Sequence, residues 1–183
     1  MEPPTACWQN QLMFDDLLES NLRFQDGFSD PGLPGTAARG LAVLTCIDSR
    51  IDPLALLGLR PGDAKIIRNA GARVTADALR SLVLATNLLK VTRVCLIQHT
   101  ECAVIGSTDS DLRGRVSEAR GEDASSWDFH GSTDHLAAFQ ADLEAIRECT
   151  LLPPGLGVGC FIYDVHTGAL EPVDPDETDK VRP

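Results

Sequence analysis

Positive charge is what this chain lacks most clearly. Lys and Arg total 16 against 27 Asp and Glu in 183 residues, for a net charge of −11. An excess of that sign repels phosphate backbones and anionic headgroups, so non-specific binding to nucleic acid or to an anionic membrane is disfavoured. Aromatics are also scarce, at 5% of residues, and no basic patch with interleaved aromatics exists on which bases could stack. No apolar run reaches the length that spans a bilayer, and residues 1–20 contain neither a basic n-region nor an apolar h-region. A cytoplasmic location is therefore expected. No internal repeat of solenoid length is apparent. The six cysteines fall short of the density of small secreted domains, and in a reducing compartment such residues bind metal or pack more often than they bridge. Cys7, Cys95, Cys149 and Cys160 read as ordinary thiols, with Cys95 and Cys160 expected to be buried.

Two apolar runs are present instead. Leu41-Ala-Val-Leu-Thr-Cys46-Ile-Asp48-Ser-Arg50 and Val94-Cys-Leu-Ile-Gln-His99-Thr-Glu-Cys102 each end in polar groups. Strands that read as near-continuous aliphatic runs are covered on both faces, which implies a parallel sheet, and such sheets bind ligands at the carboxyl ends of their strands. Cys46, His99 and Cys102 sit at those ends. Three N/S ligands with a fourth position free is the coordination of a catalytic zinc, whereas a structural zinc usually takes four protein ligands. The incomplete set points to a Zn2+ enzyme.

Cys46, Asp48 and Arg50 are spaced two apart, and in an extended segment such residues project to one side. Asp48 and Arg50 can then pair bidentately beside the metal, which orients the carboxylate and keeps it ionised. The bland alternative is a surface ion pair of little worth, and the neighbouring ligands weigh against it. His130, His135 and His166 lack comparable context and read as solvated or hydrogen-bonded side chains.

The length suits a single domain over residues 1–183. Trp8 to Phe24, with Leu12, Leu17, Leu18 and Leu22, has imperfect helical periodicity and precedes the strands, so residues 1–28 are expected to carry a docking helix. Gly and Pro mark residues 29–40 as a loop. A short helical piece around Pro53–Leu57 leads through a turn at Arg60–Asp63 into a strand over Ala64–Arg68, closed by Asn69-Ala-Gly71. Thr75 is the expected N-cap of a crossover helix over Ala76–Leu89, which feeds a strand over Arg93–Gln98. Residues 106–134 read as a polar loop region, in part a short helix. Leu136, Phe139, Leu143 and Ile146 predict a helix over His135–Cys149. Gly157–Val165 and Ala169–Val173 flank His166-Thr-Gly168 as a hairpin, and residues 174–183 read as a loose tail. The fold class is α/β, a central and mostly parallel β-sheet flanked by helices with a C-terminal hairpin-like edge. Gly155-x-Gly-x-Gly159 precedes a strand instead of opening a helix and is not a dinucleotide loop.

The ordered trio Cys46-x-Asp-Ser-Arg50, Arg68-Asn-Ala-Gly71 and His99-x-x-Cys102 resembles the β-class carbonic anhydrases, over about residues 41 to 105. The resemblance implies reversible hydration of carbon dioxide to bicarbonate and a proton on Zn2+ held by Cys46, His99 and Cys102. Asp48 would help deprotonate and orient the nucleophile, and Arg50 would hold Asp48. It also implies a homodimer or higher homo-oligomer, reached through the N-terminal helix. Some members of the family close the site by rotating the aspartate onto zinc, which would make Asp48 a fourth ligand once Arg50 is released. Enzymes resembling this family hydrolyse carbonyl sulfide or carbon disulfide on the same site, so that activity stands as the alternative. A non-catalytic zinc or redox-sensing protein is the third reading. One departure is Ala103, where the family usually has Gly after the second metal Cys.

Overall fold

The computed structural model describes residues 14–29 and 32–176, and the chain divides into two compact units, residues 1–34 and 35–183. In the first unit, helix α1 (Asp15–Asp26) places Asp15 and Asp16 at its positive end and Arg23 in its last turn. None of its residues is buried, and Leu17, Leu18, Leu22 and Phe24 are each half exposed or more. Trp8 and Leu12, which the periodicity also assigns to a helix, lie outside the described residues.

In the second unit the described residues form a sheet in the order β2-β1-β3-β4-β5, made of β1 (Leu41–Cys46), β2 (Ala64–Asn69), β3 (Arg93–His99), β4 (Gly157–Tyr163) and β5 (Leu170–Val173). The first four strands run parallel, and β5 returns antiparallel to β4. The helices are α2 (Pro53–Leu56), α3 (Ala76–Leu88), α4 (Asp109–Arg120) and α5 (His135–Glu148). β1 and β3 are aliphatic and almost wholly buried, as strands covered on both faces must be. On one face Leu44 and Leu96 pack with Leu82 of α3 and Phe139 of α5; on the other Val43 and Ile97 meet Ile66, Phe161 and Leu170. Each such side chain contributes about 1.5–3 kcal/mol by leaving water. The buried hydroxyl of Thr45 is satisfied, since its Oγ1 donates to the carbonyl of Ile97 at 3.0 Å.

Strand order positions the site. After β1 the chain moves to β2 on one side, and after β3 it reaches β4 on the other. That reversal opens a crevice at the carboxyl ends of β1 and β3, the place where open α/β sheets bind ligands.

The polar stretch 106–134 departs most from expectation. Its helix α4 runs for 12 residues and starts from a capping box, in which Thr108 Oγ1 accepts from Asp111 N at 3.1 Å and Asp111 Oδ2 from Thr108 N at 3.0 Å. α4 has no buried residue, so it carries no apolar stripe for periodicity to detect. The tail also differs, because residues 174–176 are tied to α5. Gln140 Nε2 donates to the carbonyl of Pro175 at 2.9 Å, and Arg147 pairs with Asp176 at 3.0 Å. Residues 177–183 lie outside the described residues. Among the described residues no helix is long and apolar enough to cross a membrane.

Candidate metal centre

Cys46 closes β1, His99 closes β3, and Cys102 follows in the next turn. All three are buried, and their ligand atoms lie within 4.8 Å of one another, with the two sulfurs 4.0 Å apart. His99 Nδ1 is 2.8 Å from the carbonyl oxygen of Thr100. A carbonyl only accepts, so Nδ1 carries the proton and Nε2 keeps a free lone pair. Among the described residues that Nε2 is buried without a hydrogen-bond partner, a state that calls for a ligand. The Cys46–His99–Cys102 group could hold a metal ion.

The sulfurs are unequal. Cys46 is held well below the ordinary thiol range by the hydrogen bond from Cys102, against the effect of burial, with the backbone N–H groups of Asp48 and Gly71 adding to it. Cys102 moves the opposite way, because it gives its proton to the Cys46 bond and is itself buried. Two buried thiolates repel each other, and a cation bound by both relieves that repulsion.

Asp48 and Arg50 do come together, though not as alternating residues of an extended strand. β1 ends at Cys46, and a turn follows in which Ile51 N donates to the carbonyl of Asp48 at 3.1 Å. Arg50 N then donates to Asp48 Oδ1 at 2.9 Å, Arg50 Nε to the same oxygen at 3.0 Å, and Nη2 to Oδ2 at 2.9 Å. These bonds hold the Asp48 carboxyl far below the usual carboxylate range and raise Arg50 above its own. Asp48 Oδ2 stands 3.9 Å from His99 Nε2, which places the clamped carboxylate beside the ligand atoms.

Residues around the turn explain why it is stable. Arg68 Nε donates to the carbonyl of Cys46 at 2.8 Å and its Nη2 to that of Asp48 at 2.7 Å. Asn69 accepts from Arg73 N at 2.8 Å and donates to the Arg73 carbonyl at 2.7 Å, closing the loop that carries Gly71. Ala103 is exposed and does not have a positive φ, so alanine adopts ordinary backbone there.

One residue, Glu101, escaped the sequence reading, and His166, expected to be solvated or hydrogen-bonded, is its partner. Arg50 Nη1 donates to Glu101 Oε2 at 2.9 Å, and His166 Nε2 lies 2.9 Å from Glu101 Oε1. The available signal was the place of Glu101 between two ligands. His135 Nδ1 is 2.6 Å from Gln98 Oε1, and neither His130 nor His135 joins the metal-capable group.

Comparison with known proteins matches this arrangement. A family model described as carbonic anhydrase covers residues 41–127. Beta-carbonic anhydrase 1 of Mycobacterium tuberculosis is 32% identical over 161 residues, which are 88% of this chain and 98% of that protein. The chain belongs to the β-carbonic anhydrase family. Among solved β-carbonic anhydrase folds, the carbonic anhydrase from Streptococcus mutans superimposes with a TM-score of 0.82 at 32% identity, over 88% of this chain and 97% of that one. A protein named carbon disulfide hydrolase, from Saccharolobus solfataricus, is 29% identical over 184 residues, covering 86% of this chain and 89% of that protein. Every β-carbonic anhydrase motif residue discussed above falls within the matched stretch.

Proposed function

We propose that this protein catalyses the reversible hydration of carbon dioxide to bicarbonate and a proton, with zinc held by Cys46, His99 and Cys102. The observation that carries the reading is the buried, unpartnered Nε2 of His99 beside two thiols and a clamped Asp48. Nitrogen and thiolate donors suit zinc. With Zn–S bonds of about 2.3 Å, sulfurs on a tetrahedral zinc lie about 3.8 Å apart, close to the 4.0 Å found between Cys46 and Cys102. Bound zinc supplies a Lewis acid that acidifies water.

The chain's own groups do the rest. Asp48 Oδ2 accepts a hydrogen bond from the attacking water and orients its lone pair toward the substrate carbon. A carboxylate this acidic stores no proton near neutral pH, so its effect is orientation and the proton passes on to solvent. Arg50 keeps that carboxylate in place. Ile51, Ala72, Ile105 and Ala138 pack with Cys46 and Cys102, giving an apolar wall that suits a small uncharged substrate and strengthens electrostatic interactions.

Hydrolysis of carbon disulfide or carbonyl sulfide is the second reading, supported by the carbon disulfide hydrolase relative. These substrates are also linear heterocumulenes, and the same three ligands serve them. The test is a side-by-side assay of the zinc-loaded protein on all three. A kcat/KM for carbon dioxide at least roughly tenfold above the others supports the first reading, and the reverse order overturns it. The apolar side chains exposed along α1 support self-association into a homodimer, which sedimentation of the chain with and without residues 1–34 would test. Reduced thiols at the site accord with a cytoplasmic location.

A further inference from the structure

The turn that joins the ligands His99 and Cys102 consists of Thr100 and Glu101, and Glu101 has a φ of 57°. A non-glycine residue in that region is strained and persists only where its surroundings over-determine it. Here they do. Thr100 N donates to the carbonyl of Tyr163 at 3.0 Å, and Thr100 Oγ1 accepts from Val165 N at 3.1 Å. The β4–β5 turn is stitched in turn by Asp164, whose Oδ1 accepts from His166 N at 2.7 Å and from Thr167 N at 2.9 Å. Thr100 therefore docks the whole β4–β5 turn against the ligand turn and brings His166 to Glu101.

The result is a continuous chain of polar contacts. His166 Nε2 meets Glu101 Oε1 at 2.9 Å, Glu101 Oε2 accepts from Arg50 Nη1 at 2.9 Å, and Arg50 grips Asp48 with Nε and Nη2. The neutral Nε2–H tautomer of His166 suffices to donate to the carboxylate, so the contact does not depend on a charged imidazole. Arg50 is 42% exposed, and a single exposed ion pair holds a long side chain weakly; a network with bidentate geometry is the exception. One guanidinium fixed at two edges by two carboxylates loses the freedom to swing about its own axis.

We propose that Glu101, held by His166 from the β4–β5 turn, is a positioning residue that fixes the plane of the Arg50 guanidinium and through it the direction of the Asp48 carboxylate. The inference rests on the reading of Asp48 as the group that orients the nucleophile. Its effect passes only through Arg50.

The test uses the full-length, zinc-loaded protein with Glu101→Gln and, from a different element, His166→Ala. Zinc content, kcat and KM for carbon dioxide are measured, together with solvent exchange of the Arg50 Nε–H by nitrogen-15 NMR, assigned by its loss in Arg50→Lys. Glu101→Gln is expected to keep its zinc, to lower kcat roughly tenfold with KM changed by less than about twofold, and to speed Nε–H exchange roughly tenfold. His166→Ala shifts the same quantities in the same direction by less, and Glu101→Asp recovers part of the loss. In the Arg50→Ala background, Glu101→Gln changes kcat by less than about twofold, because the route of its effect is already gone. An unchanged Nε–H exchange rate in Glu101→Gln overturns the proposal. So does a full further loss of kcat in the Arg50→Ala background, or a loss of activity that tracks loss of zinc. A parent protein without carbon dioxide activity would defeat the proposed function, while the exchange measurement would still decide the role of Glu101.

Discussion

The backbone N–H of Gly71 donates to Cys46 Sγ at 3.4 Å, and a Cβ added to Gly71 would lie 2.6 Å from Cγ1 of Val104. The first contact helps hold a thiolate and the second leaves no room for a side chain, so the Asn69-Ala-Gly71 loop and the segment after Cys102 constrain each other. Gly71 also has a φ of +78°, where a Cβ is strained. Gly71→Ala should destabilise the fold by about 1–3 kcal/mol and weaken metal retention. Urea denaturation and competition with a chelator measure the two effects.

Loss of a ligand should be more severe. Cys46→Ser and Cys102→Ser are each expected to lose most bound zinc, read by metal analysis, and to melt lower than the zinc-loaded parent. Metal that binds the folded chain adds its binding free energy to stability. Stripping zinc from the parent with a chelator should lower its melting temperature, while the same treatment should barely move either variant. Full zinc in both variants would remove the assignment.

Asp48→Asn and Arg50→Ala should keep zinc and lose most hydration activity. Removing the Arg50 side chain removes the main cause of the depressed Asp48 pKa, while the backbone N–H of residue 50 still donates to Oδ1, so the Asp48 carboxyl of Arg50→Ala should titrate higher than the parent's by carbon-13 NMR. The sign for stability follows. A depressed carboxyl stabilises the fold above its unfolded pKa and loses that contribution as pH falls through its folded value; Arg50→Ala largely lacks that contribution at every pH, so its stability deficit against the parent in urea denaturation should be largest near neutral pH and shrink in acid. Parent activity should climb from neutral to alkaline pH, because two thiolates neutralise the charge of zinc and leave water less acidified. If Asp48 leaves Arg50 for the metal in acid, a low-pH structure will show it as a fourth ligand.

Arg73 and Asp142 form a buried pair, with Arg73 Nε 3.0 Å from Asp142 Oδ2 and Val74 N donating to Oδ1 at 2.9 Å. Burial raises the Asp142 pKa even though Arg73 opposes the shift. Truncating one partner strands the other charge, so Arg73→Ala should cost roughly 3–5 kcal/mol in urea denaturation. Asn69 meets only the backbone of Arg73, which alanine keeps, so zinc content should change little.

How much of this was legible beforehand differs by element. Aliphatic runs ending in Cys46 and His99 read correctly as strands of a parallel sheet, because burial on both faces leaves its mark in the residue types themselves. α3 was legible through Thr75, whose Oγ1 accepts from Ala78 N at 3.3 Å, and through its apolar face. α4 was only partly legible, because an exposed helix held by caps and polar contacts has no apolar periodicity.

By itself the sequence determined which donor atoms this protein could offer a metal and which strand ends would carry them, since residue type and alternation are local properties. Tertiary structure alone decided the rest. The Asp48–Arg50 clamp is made by a turn and not by strand alternation, and Glu101 reaches Arg50 across 51 positions and His166 across 65. Arg73 finds Asp142 across 69. Polar side chains of this kind are interchangeable in composition and acquire a role only from distance and direction, and those are set when the β-strands align and the turns at their carboxyl ends dock on one another.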